Sequence, residues 1–191
     1  MYICIIMYII YFFNKFNTGE HIMSNFREIK PEDLNESAFK LIGHDWMLIT
    51  AEKENKINTM TASWGNFGIM WGKNVVSIVV RPQRFTKEFI DASSTFSLTF
   101  FDKSYKKDLS YLGTVSGRDE DKISKTNLTV TYVDNTPAFE ESKLTIICKK
   151  LYAQEFEPQC FIDNSIEKQC YPEKDYHTLY IAEVEKILIR E

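Results

Sequence analysis

The pattern of apolar and polar positions along this chain predicts strands more often than helices. Residues 74–80 (NVVSIVV) are dense in β-branched side chains, and the run is stopped by Pro82, whose ring removes a ladder donor. Residues 46–51 and 57–63 form two more strand-like runs, and the polar EKENK segment between them reads as a hairpin. Further strands are predicted at 95–101, 128–132, 144–152 and 178–189. Helical signals are fewer. Pro31 at a first helical position, Leu34, Ala38, Leu41 and Ile42 at helical spacing, and Gly43 just beyond them predict a short amphipathic helix. A second begins near Phe85, with Thr86 as the cap and Phe85 and Ile90 as an apolar staple. A third covers 105–112. Six or seven strands with few, short helices and no regular strand–helix alternation predict a mainly β protein, an antiparallel barrel rather than a doubly wound sheet.

The first 22 residues break this pattern. Residues 1–13 are uninterrupted apolar or aromatic, too few to span a bilayer and lacking the basic start and small-residue cleavage site of a signal peptide. Seventeen of the first 22 are Phe, Tyr, Met, Ile, Asn or Lys, the types with A- and T-rich codons, and Thr18-Gly19-Glu20 can be encoded by a ribosome-binding sequence. The expectation is a leader at 1–22, with translation from Met23 and one domain over 23–191; a short membrane-surface anchor is the rival. A length of 191 residues suffices for a sizeable core without disulfides. Cys4, Cys148, Cys160 and Cys170 lack CxxC spacing, which suits a reduced, cytoplasmic chain. A net charge of -4 without a basic run argues against nucleic acid as a partner. GxGxxG, P-loop, HExxH and GxSxG patterns are missing, and His21, His44 and His177 are too far apart for a local metal motif.

Two segments carry candidate chemistry. Asn58-Thr59-Met60-Thr61-Ala62-Ser63-Trp64 is a strand of mostly small and hydroxylic side chains that gives way to Trp64, Phe67 and Trp71. Small residues let a planar ligand such as a flavin ring reach backbone donors, although the same residues suit any sheet edge. Arg81-Pro82-Gln83-Arg84-Phe85-Thr86-Lys87 places three cations at a helix start, where the helix dipole favours an anion. A phosphate would supply it, held by the Thr86 hydroxyl, helix amides, a guanidinium and Lys87; a solvated basic turn paired with Glu88 or Asp91 is the alternative. Together the two segments match the planar and anionic ends of flavin mononucleotide (FMN).

The stretches NTMTASWG, VVRPQRFTKEFI, FSLTFF, LGTVSGRDEDK and YHTLYIAEVEKI, in that order, make the chain resemble the flavin reductase-like, FMN-binding split-barrel proteins, including the flavoredoxin-like group, over about residues 28–190. The resemblance implies a split β-barrel in a homodimer, with Asn58 to Trp64 along the isoalloxazine and ribityl chain and Arg81, Arg84, Phe85, Thr86 and Lys87 around the phosphate. It places His177 near the cofactor as a candidate catalytic residue, a structural histidine being the other reading. The loop Ser116 to Lys122 would approach the flavin or a subunit boundary, or be a charged surface loop. Ala182 departs from the family pattern, where glycine is common. The implied activity is an FMN-dependent oxidoreductase of the NAD(P)H:flavin reductase type, with NADH or NADPH as co-substrate and an electron-acceptor protein as a downstream partner. The alternatives are an FMN-binding electron carrier without its own NAD(P)H site and a split-barrel protein with no redox role.

Overall fold

The computed structural model describes residues 25–191; the expectations made for residues 1–22 lie outside the described residues. Ten strands are present among them: β1 (Phe26–Ile29), β2 (Met47–Lys53), β3 (Lys56–Ala62), β4 (Gly65–Met70), β5 (Lys73–Val80), β6 (Thr95–Phe100), β7 (Val130–Val133), β8 (Thr136–Phe139), β9 (Leu144–Glu155) and β10 (Thr178–Arg190). The α-helices are short: α1 (Thr86–Ala92), α2 (Lys106–Thr114) and α3 (Asn164–Cys170). None of the helices described is long and apolar enough to cross a membrane.

Local chemistry explains the hairpins. Three of them turn on two residues with positive φ at both positions: Glu54-Asn55, Trp71-Gly72 and Asp134-Asn135. This is the type I′ geometry, whose twist matches that of the flanking strands, and each pair ends on Asn or Gly, the residues that most readily take φ > 0. The EKENK turn is therefore where the sequence predicts it. The run from Trp64 to Trp71, which falls between the strands predicted at 57–63 and 74–80, is largely a further strand, β4, paired with β5 from Gly65–Ile78 to Met70–Lys73.

The expected helix over Pro31 to Gly43 is also corrected. The chain makes one tight turn at Pro31–Asp33, leaves helical geometry at Leu34, and re-forms as a wide helical segment at Lys40–Asp45. Asn35, Glu36 and Ser37 interrupt the apolar spacing, and polar side chains of this kind compete for backbone partners. Leu41 and Ile42 still reach the core. At α1 the cap position is Phe85 rather than Thr86, without a side-chain cap, and Phe85 packs edge-to-face on Phe89 at 5.0 Å rather than stapling to Ile90.

Eight strands form one antiparallel sheet with the path β3-β2-β6-β9-β10-β5-β4, β1 adding to β10; β7 and β8 form a separate hairpin. Along β2, Met47, Ile49 and Ala51 enter the main core with Phe96, Leu98, Ile146, Tyr180 and the α1 residues Phe89 and Ile90. Leu48, on the opposite face, packs with Leu109 and Leu112 of α2. β2 is thus covered on both faces, and α2 is laid against the outside of the sheet. Phe67 joins the core, at 6.3 Å from Phe100, while Trp64 and Trp71 remain 47% and 60% exposed.

β3 and β4 lie at opposite ends of the sheet path, yet only Ser63 and Trp64 separate them. Three residue steps reach at most about 11 Å, so the sheet must curl until its two ends nearly meet. They do not pair, and the result is a split barrel whose seam lies at Ser63–Trp64. Gly65 makes the corner. A Cβ there would stand 2.4 Å from the Ser77 carbonyl oxygen. Gly65→Ala should lower stability by about 1–3 kcal/mol in urea unfolding, the cost of overpacking a tight site; an unchanged midpoint would show that the corner tolerates a side chain.

Candidate functional site

The seam opens into a cleft of about 390 Å³, within the range of small-molecule sites. One wall is Met60 to Trp64, the end of edge strand β3 and the two residues after it; among the described residues β3 pairs with β2 alone and so presents an edge on its outer side. The facing wall is α2, contributing Leu109, Ser110, Gly113 and Thr114. The two walls are close-packed at their base: the Thr61 hydroxyl donates to the Leu109 carbonyl, and a Cβ on Gly113 would come 3.2 Å from the Thr61 Cβ. Small side chains on both sides keep the cleft open above that contact.

Two indoles border it. Trp64 lies 5.2 Å from the His177 ring. Trp46 also lines the cleft, with the Lys106 ammonium 3.4 Å above its ring. Its backbone is at φ 66, ψ 163, a region that residues with a Cβ avoid at a cost of about 1–3 kcal/mol. Such strain persists only where the surroundings enforce it, here the Lys106 bonds to the carbonyls of His44 and Asp45 at 2.7 and 3.1 Å.

The cations differ in their partners. Arg81 lines the cleft but is neutralised: it pairs with Asp175, donates to the Cys170 carbonyl at 2.8 Å and lies 5.2 Å from the Tyr171 ring centre. Arg84, half-buried in the same cleft, has no acidic partner among the described residues and donates to the Gly113 carbonyl at 2.8 Å. Burial lowers its pKa, although a guanidinium stays charged. Lys122, 3% exposed, donates to the carbonyls of Leu112 and Val115 at 2.8 and 2.9 Å. Burial first, and the Arg84 charge second, push its pKa down to about 8. Two cations therefore converge on the C-terminal carbonyls of α2, whose dipole supplies only about half a negative charge.

The sequence-derived residues separate accordingly. Met60, Thr61, Ala62, Ser63, Trp64, Arg81, Arg84 and His177 come together in the cleft. Asn58 and Thr59 do not line it: Asn58 donates to the Thr86 hydroxyl at 2.9 Å, and Thr59 donates to the Ile49 carbonyl. Thr86 is 1% exposed, and Lys87 pairs with Asp91 at 2.7 Å, the pairing weighed as the alternative for this basic turn. Phe85 sits under the Arg118 guanidinium, 4.7 Å away. The Ser116–Lys122 loop folds over this spot, Arg118 reaching Gln83 and Glu88; a Cβ on Gly117 would come 2.3 Å from the Asn58 Oδ1. The reading missed Trp46 and the α2 face, although Gly113 falls inside the quoted LGTVSG stretch.

His177 is buried, with its Nδ1 2.8 Å from the Tyr171 hydroxyl. Burial first, and the neighbouring Arg81 charge second, push its pKa down to about 4. Because the unfolded imidazole titrates near 6.5, the unfolded state binds more protons between about pH 4 and 6.5, so this group's contribution to stability is full above that window and falls as pH drops through it. An NMR titration should find the His177 midpoint well below pH 6; a midpoint at or above 6.5 would contradict the burial account.

A comparison with curated proteins finds no match. Solved structures share the fold. A flavoredoxin from Methanosarcina acetivorans aligns with TM-score 0.59 at 20% identity, covering 75% of this chain and 67% of that one. An FMN-binding domain of flavin reductases-like enzyme from Shewanella baltica OS155 aligns with TM-score 0.64 at 19% identity, covering 87% and 78%. The flavoredoxin of Desulfovibrio vulgaris (Miyazaki F) gives 0.61 at 18%, covering 85% and 78%. Residues 39–191 match the family described as "Flavin reductase like domain", and that match, over most of the chain and all of the cleft, makes this protein a member of the flavin reductase-like family.

Proposed function

We propose that this protein is an FMN-dependent oxidoreductase that takes hydride from NADH or NADPH and passes electrons onward. The observation that carries the reading is Arg84, a half-buried guanidinium without an acidic partner among the described residues, in a cleft whose long wall is an edge strand; the buried Lys122 behind it lines a different cavity but adds positive charge at the same helix end. The donor set fits FMN: an anion would relieve the cation pair, and a ring with carbonyl and nitrogen acceptors suits the outer side of edge strand β3, where Met60 to Ser63 line the cleft. Bound there, FMN would supply the hydride-accepting centre that the side chains themselves lack.

The chain's own residues bind, orient and exclude water. Arg84 would make the direct phosphate contact, with Arg81 beside it, its charge already balanced by Asp175. Thr86 and Lys87, expected in the cradle, would have to give up Asn58 and Asp91 to reach a phosphate. Trp46 and Trp64 would shield the ring from solvent. His177 stays neutral at pH 7, so it offers a hydrogen bond rather than a charge, and Tyr171 fixes the ring through Nδ1. Holding the donor and acceptor in a near-attack arrangement is the main contribution of such a site, and no acid–base pair is needed.

The proposal includes a homodimer. Its support is family membership together with the exposed apolar face of the β4–β5 hairpin, where Ile69 and Trp71 are 72% and 60% exposed and Trp71 lies 6.4 Å from the half-exposed Tyr152.

Arg84→Ala should cost about 1.5–3 kcal/mol of FMN affinity, the range for a hydrogen bond to a charged group. Riboflavin should bind the native protein more weakly and be nearly indifferent to the substitution. Equal loss for both flavins would remove the phosphate from Arg84. Anaerobic NADPH or NADH should bleach the flavin of the loaded protein. If dithionite bleaches it and neither nicotinamide does, the protein is an electron carrier and not a reductase.

A further inference from the structure

We infer that Tyr171 is a positioning residue for the cleft: it pins the His177 ring in the tautomer that carries hydrogen on Nε2, so that the cleft meets a fixed hydrogen-bond donor and selects an acceptor atom on its ligand. The inference concerns these two side chains, and only its consequence for flavin rests on the oxidoreductase reading.

The hydroxyl decides the tautomer. The Tyr171 hydroxyl and the His177 Nδ1 are 2.8 Å apart, and a phenol can donate or accept. Tyr171 is 4% exposed, and Nδ1 is the one hydrogen-bond partner of its hydroxyl among the described residues. If Nδ1 held the hydrogen, the phenolic O–H would be a buried donor with no acceptor, an arrangement folded proteins avoid because its desolvation is not repaid. The O–H therefore donates to Nδ1, and a neutral imidazole whose Nδ1 accepts carries its hydrogen on Nε2. Neutrality is secured by burial and by the Arg81 charge, which outweighs the opposing Asp175.

Nε2 is open to the cleft. It has no partner among the described residues, and His177 is part of the cleft lining. Nor is it sealed in the core, since Thr99 Oγ1 is the one fully buried side-chain polar atom among those residues that lacks a partner. The free N–H thus belongs to the cleft wall beside Trp64, whose ring centre is 5.2 Å away.

Tyr171 is itself held on several sides. It follows α3 directly, with its N–H donating to the Glu167 carbonyl at 2.8 Å. The rings of Phe161 and Tyr176 pack on it at 5.6 and 5.2 Å, and the Arg81 guanidinium lies 5.2 Å from its ring centre. His177 meets it nearly edge-on, at 5.5 Å and 83°. The Tyr176 hydroxyl goes to Glu167 at 2.6 Å and does not compete for Nδ1. Because Tyr171 does not line the cleft, it acts on a ligand only through His177, as an outer partner that orients a contacting group.

The test joins NMR of the ring nitrogens to a double-mutant cycle. Tyr171→Phe keeps the packed ring and removes only the hydroxyl. In isotope-labelled native protein near neutral pH, the His177 signals should place the hydrogen on Nε2. In Tyr171→Phe the two nitrogen signals should move toward each other as the second tautomer becomes populated. Hydrogen on Nδ1 in the native protein, or identical signals in both proteins, overturns the inference. Tyr171→Phe should also weaken FMN binding about two- to tenfold, the range of one neutral hydrogen bond, and should add no loss in a His177→Ala background. An equal loss in both backgrounds would make Tyr171 a purely structural residue and overturn its positioning role. Native protein that shows the pinned Nε2 hydrogen yet binds no FMN would uphold the fixed donor and count against the flavin reading instead.

Discussion

Two residues join the strands at opposite ends of the sheet, and most of the architecture follows from that short connection. Ser63 and Trp64 cannot bridge a flat seven-strand path, so the sheet must coil until β3 and β4 are neighbours in space. Once there, they remain unpaired. A barrel closed by hydrogen bonds would have no free backbone at this place; the split one keeps an edge strand, and α2 covers it across a narrow gap. The Gly65 corner, the close approach of Gly113 to Thr61 and the exposed Trp64 all belong to the same seam.

The electrostatics of the seam are arranged around the end of α2. Its last carbonyls receive Arg84 and Lys122, and these two cations repel one another in a partly dry place. As caps they satisfy orphan carbonyls, a structural role that one of them could fill. Having both leaves positive charge that the helix dipole does not balance. Arg81, by contrast, is spent on Asp175 and on the segment that carries Tyr171, so it helps to build the wall next to His177. A neutral histidine beside two arginines gives the cleft one polar group that adds no further positive charge.

Much of the fold was legible because it rests on local rules. The β-branched run before Pro82, the EKENK hairpin and the helix after Phe85 declare themselves by spacing and turn chemistry. β4 was hidden because GNFGIM contains two glycines and stands exposed on most of its length, so it lacks the alternation that marks a half-buried strand. β8 contains Pro137, which reads as a breaker in sequence but is tolerated in a two-strand hairpin. The site was legible in part. β3 and the two arginines were marked by composition, whereas Trp46 and α2 enter through tertiary packing that no local pattern encodes. Thr86 and Lys87 look like a phosphate cradle in sequence, and only the fold shows Asn58 and Asp91 as their partners.

The central claim is that one ligand spans the gap between the edge of β3 and the end of α2. Hydrogen exchange of the purified protein with and without FMN tests it most directly. The account predicts added protection at the amides of Thr61 to Trp64 and of Gly113 to Val115, on both walls at once. Protection confined to the Gly117–Ser124 side of the barrel, or none at saturating FMN, would contradict it.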